Sequence, residues 1–155
     1  MKNNVKVLLL LFLFACSLSQ VNSWECVNGN CYYFSNHTAT WLDARKYCLD
    51  RGADLAVPFS KANNDYLYSE MKKKGIKSAF IGLFKTASDL GSNFYTTNGR
   101  LQVFINWASG EPNNQKSKEH CVEIYGNNEG KHNDLPCTCQ RYFICQIAGS
   151  CKARR

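Results

Sequence analysis

Gly110-Glu111-Pro112-Asn113, then Glu119 just ahead of Cys121, then Asn133-Asp134 just ahead of Cys137, is the stretch on which the reading of this chain turns. It places three carboxylates (Glu111, Glu119, Asp134) and two side-chain amides (Asn113, Asn133) within twenty-four residues, framed by a proline and two cysteines. Calcium takes about six to eight oxygen ligands from carboxylates, Asn carbonyls, main-chain carbonyls and water, whereas zinc prefers Cys and His. The pattern therefore predicts a hard-cation site with Ca2+ as cofactor. Its donors sit on separate segments, so tertiary structure has to assemble them. An EF-hand is excluded, because no D-x-[DN]-x-[DN]-G loop with a closing Glu occurs.

Outward from that stretch, composition points to a compartment. Residues 1–23 carry basic Lys2 and Lys6, the apolar run Val7 to Ala15 and the small-residue end Val21-Asn22-Ser23. That is the layout of a secretory signal peptide, and the run is too short to span a bilayer. Residues 24–155 then form one domain, and the expected location is extracellular. Cleavage takes Cys16 and leaves Cys26, Cys31, Cys48, Cys121, Cys137, Cys139, Cys145 and Cys151, an even set that predicts disulfides in a short secreted chain. Cys137-Thr138-Cys139 with His120 and His132 offers a zinc alternative, but oxidation outside the cell competes with thiolate binding. The full chain has 19 Lys and Arg against 12 Asp and Glu, a net charge of +7, which falls to +5 without Lys2 and Lys6. The basic clusters, Lys72-Lys73-Lys74 and Lys152 to Arg155, read as a solvated helix end and a tail rather than a nucleic-acid site.

A coarse pass gives the elements. Cys31-Tyr32-Tyr33-Phe34 is a strand, and Thr40 caps a helix through Trp41, Ala44 and Cys48 that stops at Gly52. Ser60 caps a second helix, with Leu67 and Met71 turned inward, that ends at Gly75. Phe80-Ile81-Gly82-Leu83, Cys121 to Tyr125 and Tyr142 to Cys145 are further strands. Asn98-Gly99 predicts a type I′ hairpin turn with positive φ at both residues. Leu83 to Cys121 is loop-rich, and a loop of that length in a compact domain is usually functional. The fold class is α+β.

At this point the residues resemble a family. The helix Trp41 to Cys48, the strand Phe80 to Leu83, Gly110-Glu111-Pro112-Asn113, Asn133-Asp134 and the cysteine order Cys48, Cys121, Cys137, Cys145 are together similar to a C-type lectin carbohydrate-recognition domain. The resemblance covers Cys26 to Ile147. It implies two helices with two small antiparallel sheets, a long calcium-binding loop, and the disulfides Cys48–Cys145 and Cys121–Cys137. It also implies a cis bond before Pro112, which turns both flanking carbonyls toward one ion. Glu111, Asn113, Glu119, Asn133 and Asp134 then resemble the ligands of the family's principal calcium site. Each of two adjacent sugar hydroxyls would donate to a carboxylate and accept from an Asn amide, Glu111 with Asn113 and Glu119 with Asn133. Glu-Pro-Asn is the order the family associates with mannose, N-acetylglucosamine, glucose or fucose, and Gln-Pro-Asp that of galactose.

The chain departs from the pattern in three places. His132 stands where the family usually has Trp; it is expected to be exposed or a packing substitute, not a ligand. Lys85, Asn114 and His120 occupy positions that are acidic in members with a second calcium site, so one site is expected. Cys26 and Cys31 resemble an amino-terminal pair at tight spacing, and Cys139 and Cys151 are additional. Cys26–Cys31 is a candidate bond, Cys151 with Cys26 or Cys31 is an alternative, and a covalent homodimer through Cys139 or Cys151 is another. Trp107 with Phe94 and Tyr95 reads as core packing beside the loop, and Asn36-His37-Thr38 is a glycosylation sequon. No G-x-S-x-G elbow or H-E-x-x-H helix is present, so no enzyme is predicted. The expected function is secreted, calcium-dependent recognition of terminal mannose-type glycans in innate defence. The alternative is a lectin-like domain that binds protein, mineral or ice without reading sugar.

Overall fold

The computed structural model describes residues 24–86 and 93–149. The expected leader at 1–23, Cys151 and the basic run 152–155 lie outside the described residues. Helix α1 spans Trp41–Leu49 and helix α2 spans Lys61–Lys73. Each starts where the sequence put a cap: the Thr40 hydroxyl accepts from Asp43 N at 3.3 Å and the Ser60 hydroxyl from Asn63 N at 3.2 Å. Helix α1 buries Trp41, Ala44 and Cys48, whereas α2 buries Leu67 and Met71 with Asn64 and Glu70. Both faces follow the three-to-four residue spacing of an amphipathic helix. The lysines at the end of α2 have partners of their own: Lys73 pairs with Glu70, and Lys74 with Glu25.

Among the described residues eight strands follow in chain order: β1 Glu25–Val27, β2 Asn30–Phe34, β3 Asp54–Leu55, β4 Ser78–Phe84, β5 Tyr95–Thr96, β6 Cys121–Tyr125, β7 Lys131–Leu135 and β8 Tyr142–Ala148. The sheet runs β1-β2-β8-β4-β6-β7, with β3 beside β8 and β5 beside β4. Two antiparallel sets were expected, and they form. They are not separate, because β4 and β8 pair in parallel through Ala79↔Tyr142 and Phe80↔Phe143 and join them into one mixed sheet.

Two apolar clusters hold this frame. One packs Leu67 and Met71 of α2 on Ile81, Leu83, Val122, Ile124 and Ile144. The other packs Trp41, Ala44 and Cys48 of α1 on Phe80, Phe143 and Leu135. Trp41 stitches the two by donating its indole N–H to Ile81 O at 2.8 Å. Gly82 is required in β4: a Cβ there would stand 2.6 Å from Leu55 O.

The turns differ from expectation in an informative way. At Asn98-Gly99 only Gly99 has positive φ, and Gly99 N bonds Thr96 O at 2.8 Å while Thr96 N bonds Arg100 O at 2.8 Å. That is a three-residue loop closed by a left-handed glycine, not a type I′ turn. The type I′ signature is instead at Asn28-Gly29, with φ of 49° and 80°, where β1 and β2 are linked by two residues. Among the described residues three disulfides form: Cys26–Cys31, Cys48–Cys145 and Cys121–Cys137. The first removes the alternative that joined Cys151 to Cys26 or Cys31. Among the described residues Cys139 is the free cysteine.

Candidate functional site

Strand β7 carries Asn133 and Asp134, and the β6–β7 register sets Asn133 opposite Glu123 and Asp134 opposite Val122. The return leg of the long loop is tied to the same strand. His132 N donates to Asn106 O at 2.7 Å, Ala108 N to His132 O at 2.9 Å, and Glu111 N to Ala108 O at 3.1 Å. These bonds deliver Glu111 beside Asp134.

Asp134 is buried and does the gathering. Its two carboxylate oxygens accept from Asn113 N and Asn114 N, each at 3.0 Å. Asn113 N also meets Glu111 Oε2 at 3.0 Å, and the Asn113 amide donates to Glu111 Oε1 at 2.9 Å. The Glu111–Pro112 bond is cis, as the resemblance implied. Glu119 closes the segment: its Oε2 accepts from Gln115 N at 2.7 Å, and its N–H donates to Asn114 Oδ1 at 3.2 Å. The loop that makes these contacts is tight, with Asn114, Lys116 and Ser117 all at positive φ.

The structure thus brings Glu111, Asn113, Glu119 and Asp134 together. The Asn133 amide donates to Glu123 Oε1 at 3.0 Å, and the Glu123 charge in turn acts on Glu119. Burial raises the Glu111 carboxyl above its usual range, and Asp134 within hydrogen-bond reach raises it further against the pull of Asn113 N–H. Glu119 is raised by burial first and by the Asp134 charge, while Gln115 N–H and the Lys85 ammonium oppose the shift. Lys85 is itself buried, over the Phe94 ring at 5.5 Å. Carboxylates that resist ionising because they are close and partly dry are the groups a divalent cation relieves. Among the described residues no trio of His, Cys, Asp or Glu alone forms a metal cage. A cation here draws on the Asn oxygens as well, which suits calcium. The zinc alternative falls away, since Cys137 is oxidised and both His132 nitrogens are engaged.

His132 is fully buried rather than exposed. Asn106 N donates to its Nδ1 at 3.1 Å, which leaves the proton on Nε2, 2.7 Å from Asn64 Oδ1. Burial, seconded by the Lys131 charge, pushes its pKa down to about 3. It fills the place under the loop as a neutral ring, 6.3 Å from Trp107, which in turn packs on Phe94 at 4.9 Å. The core reading of Trp107 and Phe94 fits that arrangement. Asn36 lies exposed at the surface. Sequence reasoning missed Glu123, a buried acid in the otherwise apolar or aromatic strand Cys121-Val122-Glu123-Ile124-Tyr125. That lone charge was its available signal.

Comparison with known proteins agrees with this fold. The Lectin C-type domain profile matches residues 37–147. Salivary C-type lectin 2 of Aedes albopictus is 35% identical over 136 residues, covering 79% of this chain and 86% of the mosquito protein. C-type mannose receptor 2 of Homo sapiens is 35% identical over 128 residues, covering 82% of this chain but 8% of the receptor. The mouse scavenger receptor C-type lectin carbohydrate-recognition domain superposes with a TM-score of 0.73 at 27% identity, covering 82% of this chain and 96% of that one. The chain belongs to the C-type lectin domain family, whose members bind glycans and generally bind Ca2+.

Proposed function

We propose that this protein is a secreted, calcium-dependent lectin with one ion site, held by Glu111, Asn113, Glu119, Asn133 and Asp134, that recognises terminal mannose-type sugars. The observation that carries the reading is the Asn113 amide donating to Glu111 Oε1 at 2.9 Å, beside buried Asp134. A donor and an acceptor already face each other there. A sugar hydroxyl that enters between them accepts from Asn113 and donates to Glu111, so one protein hydrogen bond becomes two to the ligand. The bound ion supplies coordination positions for the same hydroxyls. Glu119 and Asn133 serve the neighbouring hydroxyl in this reading, and the Glu-Pro-Asn order favours mannose, N-acetylglucosamine, glucose or fucose over galactose. The names of the human receptor, a mannose receptor, and of the mouse domain, a carbohydrate-recognition domain, point the same way.

Three disulfides and the leader at residues 1–23 support an extracellular setting. Among the described residues no helix is long and apolar enough to cross a membrane. One shallow site binds weakly, so recognition of microbial or host surfaces in innate defence needs several copies, for which Cys139 or Cys151 is the proposed link. A glycan array run in calcium and repeated in chelator tests the reading. Signal on mannose-type glycans that vanishes with chelator supports it, and signal that survives the chelator overturns it. Glu111→Gln with Asn113→Asp should shift preference toward galactose. A purely monomeric band on non-reducing electrophoresis removes the covalent link.

A further inference from the structure

Glu123 is 2% exposed in the middle of β6, and the ligand set proposed above leaves it out. An ionised carboxylate is not buried without partners. Glu123 has two: Arg141 Nε donates to its Oε2 at 2.6 Å and Asn133 Nδ2 to its Oε1 at 3.0 Å. Arg141 is fixed in turn at its backbone. It exchanges two hydrogen bonds with Ala39, at 2.9 and 3.1 Å, on the segment that leads into α1. That segment is tied to the site's other flank, since Trp41 N donates to Cys137 O at 3.0 Å. The carboxylate is therefore held by a guanidinium whose backbone is anchored, and it faces Asn133 across the β6–β7 register.

An amide side chain has one donating arm and one accepting arm, and a carboxylate only accepts. With Asn133 flipped, its oxygen would face the oxygen of Glu123. The charge on Glu123 thus selects one orientation, with Nδ2 toward Glu123, Oδ1 turned the other way and the second N–H of Nδ2 left over.

We propose that Glu123, clamped by Arg141, is a positioning residue for the ion and sugar site: it sets the Asn133 amide so that Oδ1 serves the cation and the spare N–H serves a sugar hydroxyl. The inference rests on the ligand set proposed above. Glu123 acts through Asn133 and does not touch the sugar. Groups that orient a metal ligand typically account for about 10–100-fold in metal affinity.

Two variants separate orientation from bulk. Glu123→Gln keeps an acceptor for Asn133, while half-exposed Arg141 is free to turn to solvent. Glu123→Leu fills a similar volume without an acceptor. In chelator, NMR of the Asn133 side chain should show two well-separated amide protons in the wild type and Glu123→Gln, and shifts typical of a solvent-exposed amide in Glu123→Leu. In calcium titrations Glu123→Leu should bind about 10–100-fold more weakly, with Glu123→Gln within a few-fold of the wild type. A merely structural role would lower the melting temperature in chelator for both variants without separating them in calcium affinity, and that result overturns the proposal. An Asn133 amide unchanged in Glu123→Leu also overturns it. That resonance needs no metal, so it decides the role of Glu123 even if a wild type that binds no calcium removes the proposed ligand set.

Discussion

Acidification should destabilise this domain through His132, and the size of the effect follows from its environment. The ring is fully buried, accepts at Nδ1 from Asn106 N and donates from Nε2 to Asn64 Oδ1, so protonation would put a second N–H against an N–H inside the core. Its pKa is held down to about 3, against about 6.5 in an unfolded chain. The unfolded chain therefore takes up the proton first. Stability present above pH 6.5 is lost as pH falls toward 3, at about 1.4 kcal/mol per unit once below the unfolded value. From pH 7 to pH 5 the loss due to this one residue is about 2 kcal/mol. Denaturant unfolding followed by tryptophan fluorescence, in chelator to remove any metal contribution, measures it directly. His132→Phe is the control: it will be less stable throughout, since Asn106 N and Asn64 lose a partner, but its loss between pH 7 and pH 5 should be about 2 kcal/mol smaller than that of the wild type. Equal pH dependence in the two proteins, or an NMR titration placing His132 near pH 6.5, would refute the reasoning.

Gly82→Ala should lower the melting temperature by several degrees, because its Cβ meets the Leu55 carbonyl at 2.6 Å and main chain rather than a flexible side chain has to move; overpacking of this kind costs about 1–3 kcal/mol. Trp41→Phe keeps the aromatic contact but strips the donor from Ile81 O, and chemical denaturation should register about 1–3 kcal/mol for the orphaned carbonyl. Calcium at a hundredfold excess over its dissociation constant should stabilise the fold by about 2.7 kcal/mol relative to chelator; identical melting curves in the two buffers would count against the ion site.

Much of the frame was legible because its signals are local. Thr40 and Ser60 mark helix starts by chemistry that acts within one turn, and strand Cys121–Tyr125 lies where β-forming residues cluster. Where pairing joins distant segments, the sequence is silent. The parallel β4–β8 contact depends on the whole chain wrapping round, and neither strand announces its neighbour. The two Asn-Gly pairs show the limit of a local signal: Asn28-Gly29 sits in a two-residue connection and takes the type I′ form, while Asn98-Gly99 sits in a longer loop whose hydrogen bonds need positive φ only at glycine. At the candidate site, oxygen-rich residues stood out by type. The orientation of Asn133 did not, because it is set by Glu123 across the ladder and by Arg141 beyond it.

The pairing of β2 with β8 has an architectural consequence. Asn30 lies against Ala148 and Tyr32 against Gln146, while β1 sets Glu25 opposite Tyr32, so the first and last described strands enter and leave along one margin of the sheet. Strand β8 runs from beside Arg141 to that margin, seven residues or about 20 Å at roughly 3.3 Å each. A module whose ends emerge together, about a strand's length from the Arg141–Glu123 pair beside the proposed site, can be threaded into a longer polypeptide like a bead without its flanking chain crossing that site. Such an outline suits both a protein that is almost all one such domain, as with the mosquito lectin, and a receptor in which the matched segment is 8% of the length.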